Sequence, residues 1–389
     1  DLALSATGHQ RVIRARLADA QFFYQGDLDV TNDERVEKLK KVLFQAELGT
    51  VFEKSERVAK IAEVLAASTQ EGDELKKQVA RAARLSKSDL VSQVVGEFPK
   101  LQGIMGRIYA GLGGESADVA AAIEEHYRPV YSGAPLPETL VGAIVSIADK
   151  MDSICGCFSV GLIPTGASDP YALRRQGIGI VQIMNAKGFS FSLRELIRCS
   201  LEQCGEKGAS NLNELLEKVY TFLQNRISHL LAEEGFSRDV IAAVASVSVD
   251  DVPNVRNRVK ALESLKARPD FEPLAIGFKR VVNIIRKSGQ AREGVAPEAV
   301  DAALFEHDSE GALLDKFKAV DLKVSEAMAN NAFDQALVEI ASLKDAVDRF
   351  FDGVMVMAED AAIRGNRLAL LGNIAALFAK FADFSKLST

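Results

Sequence analysis

The chain has 389 residues, 48% of them hydrophobic and 26% charged, with a net charge of −7 and no Trp. That length exceeds one ordinary domain and the apolar fraction supports real cores, so two or three folded units are expected. The acidic balance excludes binding of nucleic acid through bulk charge; any such role needs a local basic patch.

In chain order, the opening DLALSATGHQRVIRARLADAQFF (1–23) has no initiator Met and is expected to continue a preceding region. Apolar residues then recur at three and four in KLKKVLFQAEL (38–48), ERVAKIAEVLAA (56–67) and TLVGAIVSIADKMDSI (139–154), the period of helices. Pro and Gly punctuate GEFPKLQG (96–103), SGAPLPET (132–139) and GLIPTGASDP (161–170). Strand-like alternation is confined to the short FSFSL (189–193). The fold class expected is all-α. The joints between units are expected at the 161–170 loop and near GFSRDV (235–240). No run of about 18 apolar residues occurs, so no membrane span is expected. Cys155, Cys157, Cys199 and Cys204 form no CxxC pair and no structural-zinc spacing, which fits free thiols in a reducing, cytoplasmic setting.

The stretch SDPYALRRQGIGIV (168–181) raises the first chemical question. Asp169 is a good N-cap and Pro170 suits the first helical position. Arg174 and Arg175 then fall near the helix start, where the macrodipole disfavours cations. Two compensations are open. One is an ion pair with Asp149 or Asp152. The other is a phosphate, whose oxygens match guanidinium forks.

A second constellation pairs SKSDL (86–90) with IADKMD (147–152). It has the skeleton of a metal-dependent phosphohydrolase of the HD type, with Asp89 and Asp149 on helices. Ser88 stands where the histidine of the His-Asp pair belongs, and no His lies between His9 and His126 to supply the first ligand. Carboxylates without imidazoles make a poor transition-metal site. No metal is therefore expected, and the two aspartates are expected to cap a helix or pair with Lys87, Lys150, Arg174 or Arg175. The literal His307-Asp308 has no partner His and is expected at a solvated helix edge. GLGGES (111–116) lacks the GK[ST] of a phosphate loop, and no nucleophile motif occurs.

The third signal is charge. Val252 to Lys287 holds nine Lys or Arg against three acids. In GFKRVVNIIRK, Phe278, Val281, Val282 and Ile285 make an apolar face, while Arg280, Asn283 and Lys287 share another. Downstream, Arg364 and Arg367 in IRGNRLALLGNI stand about one turn apart. Such residues suit single-stranded RNA, whose splayed bases accept stacking and edge hydrogen bonds. A solvated basic helix face and a helical scaffold that binds only protein are the competing expectations.

These residues carry a resemblance. RVIRARLADAQFF (11–23), VLFQAELGTVFEKSERV (42–58), LSKSDLVSQVVGEFPKLQGIMGRIYA (85–110), ADVAAAIEEHYRP (117–129), the 136–183 segment with DPYALRR, FKRVVNIIRK (278–287) and the 332–371 segment run nearly end to end. In that order they resemble the β subunit of the bacterial heterotetrameric glycyl-tRNA synthetase. The resemblance implies the C-terminal half or more of that subunit. Residues 1–34 would be a remnant of a preceding region and 35–185 a degenerate HD-type helical domain. A helical linker would span 186–250, and an arginyl-synthetase-like anticodon-binding domain 251–389. It further implies a tRNA(Gly)-binding subunit of glycine–tRNA ligase with no catalytic residue of its own. The α subunit would carry the active site with glycine, ATP and Mg²⁺, in an α2β2 heterotetramer. Arg280, Asn283, Lys287, Arg364 and Arg367 would face the anticodon loop, whose glycine versions share cytosines at the second and third positions. Arg174 and Arg175 would face tRNA phosphate or the partner subunit. The rival class is the HD-type phosphohydrolase.

Overall fold

The computed structural model describes residues 2–69, 71–269, 271–288 and 299–388, with side chains from residue 5 onward. The described chain is mainly helical, as expected, with one two-stranded hairpin. It divides into two compact units, Asp1–Arg226 and Ile227–Thr389. The expected linker, 186–250, is shared between the two units.

The first unit contains α1 (Leu2–Leu28), α2 (Asn32–Lys38), α3 (Val51–Ser68), α4 (Asp73–Leu85), α5 (Gln93–Glu97), α6 (Ile104–Leu112) and α7 (Ala117–Glu125). It continues with α8 (Leu140–Ser159), α9 (Leu173–Lys187), α10 (Leu193–Gln203) and α11 (Glu206–Ala209); α12 (Leu212–Glu233) crosses the boundary. Helix α8 is its axis. Every residue from Val141 to Phe158 is buried, because α3, α4, α7, α9 and α10 pack around it. That explains why apolar residues occur on all its sides, with Asp149, Lys150 and Asp152 buried among them.

Two segments depart from their sequence patterns, one helical and one strand-like. Residues 38–48 form the end of α2, a single 3-10 turn at Leu39–Lys41 and a hairpin of β1 (Leu43–Gln45) with β2 (Gly49–Thr50). Gly49, at φ +83°, makes the turn. Thr50 then starts α3 through a capping box with Glu53, which removes two orphan N–H groups. FSFSL is not a strand: Ser192 caps α10 by accepting from Glu195 N at 3.2 Å.

The second unit contains α13 (Arg238–Ala245), α14 (Val252–Lys266), α15 (Phe271–Lys287), α16 (Asp308–Ala329), α17 (Phe333–Ala341), α18 (Lys344–Gly353) and α19 (Ala361–Ala379). Its core is aromatic. Phe278 of α15 meets Phe378 at 4.3 Å and Phe384 at 5.1 Å between ring centroids. Each such pair adds about 0.5–1.5 kcal/mol beyond the area buried. Arg258 lies on the buried stripe of α14, where its guanidinium donates to Asn254 Oδ1, Phe381 O and Ser248 O. It is therefore a structural cation and not part of an exposed basic face.

Candidate nucleic-acid interface

Around Asp149, one of the expected HD-type positions, the structure holds a buried ion network. Lys87 Nζ lies 2.8 Å from His126 Nε2 and 3.0 Å from Asp149 Oδ2, over the Tyr127 ring at 4.1 Å. His126 Nδ1 sits 2.7 Å from the Ile123 carbonyl. A carbonyl only accepts, so Nδ1 carries the proton and Nε2 is left to accept from the ammonium. Burial and the Lys87 charge hold His126 well below the usual imidazole range, hence neutral. The imidazole and carboxylate that a metal would use are both spent on Lys87. Among the described residues no group of three or more His, Cys, Asp or Glu could hold a metal ion. The residues do not fit a transition metal, and no hydrolytic step is derived through one.

Lys54 completes the network from α3. Its ammonium reaches Asp152 Oδ2 at 3.0 Å, Ser153 Oγ at 2.8 Å and Asp149 O at 3.1 Å. It also makes an ion contact of 3.1 Å with Asp149 Oδ1, without hydrogen-bond alignment. Arg57 Nε donates to Asp152 Oδ1 at 2.6 Å. Burial works against the Asp149 carboxylate, but Lys54 and Lys87 outweigh it and hold its pKa well below the usual range. Lys150, one residue on, turns away to donate to His126 O, Arg128 O and Ser146 Oγ; burial pulls it down to about 7.

Ser88 and Asp89 are buried in a 3-10 turn, Ser88–Val91. Asp89 Oδ2 accepts from Gly103 N at 2.6 Å and Gly106 N at 3.1 Å. It caps α6 from outside the helix, and burial raises its pKa. A β-carbon at Gly106 would stand 2.6 Å from Ile123 Cγ2, so this glycine in GEFPKLQGIMG is a close-packing requirement.

The arginine pair does not use the acids expected for it. Asp149 pairs with Lys54 and Lys87, and Asp152 with Lys54 and Arg57. The helix also starts later than its sequence suggested. Its N-cap is Ala172, in the left-handed region at φ 52°. Asp169 caps from the preceding loop, accepting from Leu173 N at 2.8 Å and Arg174 N at 3.0 Å. Arg174 is half-buried and Arg175 exposed. Among the described residues neither guanidinium pairs with a carboxylate.

In the second unit the expected face of α15 forms. Phe278, Val281 and Ile285 are buried, while Arg280, Asn283 and Lys287 are exposed. Arg280 lies 4.0 Å over the Phe351 ring, a cation–π contact. Arg286 Nη2 donates to Asn283 Oδ1 at 3.3 Å. Helix α19 packs beside α15, but its two arginines do not extend this face. Arg367 is 5% exposed, with Nε on Glu310 Oε1 at 2.8 Å and Nη2 on Glu306 Oε2 at 3.0 Å. Arg364 Nη1 donates to Ala358 O at 2.7 Å and Glu359 O at 3.2 Å. Both hold the 354–360 loop, since Arg367 Nη1 also reaches Met355 O at 3.1 Å. Their spacing was legible; their burial was not, because the acids and carbonyls that engage them are remote in sequence or in an irregular loop. His307 is an exposed helix edge that caps α16 by accepting from Ser309 N.

Sequence reasoning missed Lys54 and His126. A signal for Lys54 existed: with Val51, Val58, Ile61 and Leu65 it falls on the buried stripe of α3, and a cation there demands a buried partner.

A family model for the glycyl-tRNA synthetase beta subunit matches residues 1–246, and one for the DALR anticodon binding domain matches residues 275–384. The chain is 52% identical over 387 residues to the glycine–tRNA ligase beta subunit of Desulforapulum autotrophicum, covering 100% of this chain and 55% of that protein. To those of Desulfatibacillum aliphaticivorans and Geotalea uraniireducens it is 51% and 48% identical, again over 100% of this chain and 55% of each relative. The chain therefore spans about half the length of the curated relatives it matches.

Proposed function

The chain belongs to the glycyl-tRNA synthetase beta-subunit family, and from that premise we propose that it is the tRNA-holding part of glycine–tRNA ligase. It positions tRNA(Gly) for aminoacylation by a separate α subunit, which supplies the active site and binds ATP and Mg²⁺. This chain contributes no catalytic residue. The working assembly is an α2β2 heterotetramer in the cytoplasm; no helix among the described residues is long and apolar enough to cross a membrane.

One observation carries this most. The helices matched by the anticodon-binding model present Arg280, Asn283 and Lys287 together on an exposed face, with the Arg280 guanidinium over the Phe351 ring. A planar cation beside an amide suits unstacked bases, which offer ring faces and polar edges. Arg364 and Arg367 act behind this face by fixing the 354–360 loop. Arg174 and Arg175, in the first unit, supply phosphate or partner contact. HD-type hydrolysis is disfavoured because Lys87 engages the only imidazole of that centre.

The test is equilibrium binding of labelled tRNA(Gly) to this chain across a KCl series. Binding should weaken linearly in log[salt], with a slope of about −0.7 to −0.9 per phosphate contacted. Absence of tRNA binding at low salt removes the proposal.

A further inference from the structure

In the first unit, the start of α9 meets α12. Gly177 lies one turn beyond Arg174, and a β-carbon there would stand 3.2 Å from Arg226 Cγ, 3.2 Å from Phe222 Cε1 and 3.4 Å from Leu223 Cδ2. The glycine thus lets the aliphatic stem of Arg226 lie against α9 beside Arg174. The Arg226 guanidinium sits 5.5 Å from the Phe222 centroid, and its Nε is buried with no hydrogen-bond partner. Burial, then the charge of Arg174, hold Arg226 below the ordinary arginine range.

Two cations, Arg174 and Arg226, therefore gather at one place, and Arg175 follows on α9 as an exposed residue. Among the described residues none of them pairs with a carboxylate. Asp169 is the acid whose field reaches Arg226, but its two oxygens are engaged by the N–H groups of Leu173 and Arg174. Bringing half-buried like charges together costs free energy, and an orphaned buried Nε adds to it. Such an arrangement is preorganised for an external anion with several acceptor oxygens.

We infer that Arg174 and Arg226 form a single anion site that takes the phosphate backbone of RNA. Resting on the tRNA-binding proposal above, this makes Arg226 a further phosphate-contacting residue and Gly177 the position that admits it. Phosphate is favoured over a partner's carboxylate because two guanidinium forks offer more donors than the two oxygens of one carboxylate accept, whereas successive phosphates present many.

The experiment uses the full chain and labelled tRNA(Gly) across a KCl series, with R226M, R226K and, in parallel, R280A. Met keeps the stem of Arg226 and removes its charge; Lys keeps the charge. R226M should weaken binding about five- to tenfold at low salt and flatten the salt slope by about one contact. R226K should retain more of the affinity. The melting temperature of R226M should stay level or rise, because repulsion is relieved. Wild-type affinity and slope in R226M overturn the inference. So does a lowered melting temperature in both Arg226 variants with tRNA affinity per folded molecule intact, which means packing alone. Unchanged tRNA binding in R226M with loss of the partner subunit assigns the site to a protein carboxylate and overturns the phosphate assignment. R280A weakening tRNA where R226M does not removes this site and leaves the tRNA-binding proposal standing. If wild type binds no tRNA, that proposal falls and so does the RNA assignment. Thermal shift in inorganic phosphate against chloride at matched ionic strength then decides the anion site alone: stabilisation lost in R226M keeps it, and none removes it.

Discussion

Asp149→Asn isolates the charge at the heart of the first unit. The amide is nearly the same size, so packing is kept while the carboxylate that faces Lys87 at 3.0 Å and Lys54 at 3.1 Å disappears. Lys54 keeps Asp152 at 3.0 Å, but Lys87 is left with a neutral imidazole. An uncompensated buried charge costs about 3–5 kcal/mol. In a unit of this size each kcal/mol moves Tm by about 2–4 °C, so the calorimetric transition of the first unit should fall by roughly 6–20 °C. The loss should depend on pH in one direction. The folded Asp149 carboxyl titrates well below its ordinary 3.8. Its contribution is therefore present above the unfolded pKa and lost as pH falls through the folded value. Wild type and variant should converge in acid and separate toward neutrality. Lys87→Met added to Asp149→Asn should cost less than the sum of the single changes, since both remove one interaction. A Tm within about 2 °C of wild type at pH 7, or strict additivity, refutes the network account.

Arg367→Met should behave as a stability variant, because it removes the cation paired with Glu310, which is 0% exposed and keeps only the N–H groups of Glu306 and His307. A loss of about 3–5 kcal/mol is expected, read by thermal melting of the second unit, with tRNA affinity per folded molecule held near wild type. Asp89→Ala should cost about 1–3 kcal/mol, by unmaking the cap on Gly103 and Gly106. Metal analysis of wild type and variant should find only substoichiometric Mn, Fe, Ni or Zn in both; stoichiometric metal lost on the substitution contradicts the account.

Helices and the core-facing residues of α3, α8 and α15 were legible because their apolar spacing alone places them. So was the failure of the HD ligand set, which needs only residue identity at Ser88. Residues 38–48 misled because Val42, Leu43 and Phe44 satisfy a helical stripe and a strand equally well over so short a span. Asp169 was rightly seen as a capping residue, but not that it reaches past Pro170, Tyr171 and a left-handed Ala172 to do so. Charged partners were the least legible. Lys54 meets Asp152 across 98 residues and Arg367 meets Glu310 across 57, and nothing local encodes such pairs. The clue was cations on buried stripes, as with Lys54 and Arg258. Arg226 gave no signal until Gly177 was seen to make room for it.

The central claim is that the second unit reads tRNA through the exposed α15 face. Its most direct test is the affinity of this chain for tRNA(Gly) and for the same tRNA with the two shared anticodon cytosines changed, in wild type, Arg280→Ala and Asn283→Ala. Base contacts predict that wild type prefers the native anticodon by about 1–3 kcal/mol and that either substitution shrinks the preference. Equal binding of both tRNAs by wild type, or a preference untouched by both substitutions, would contradict it.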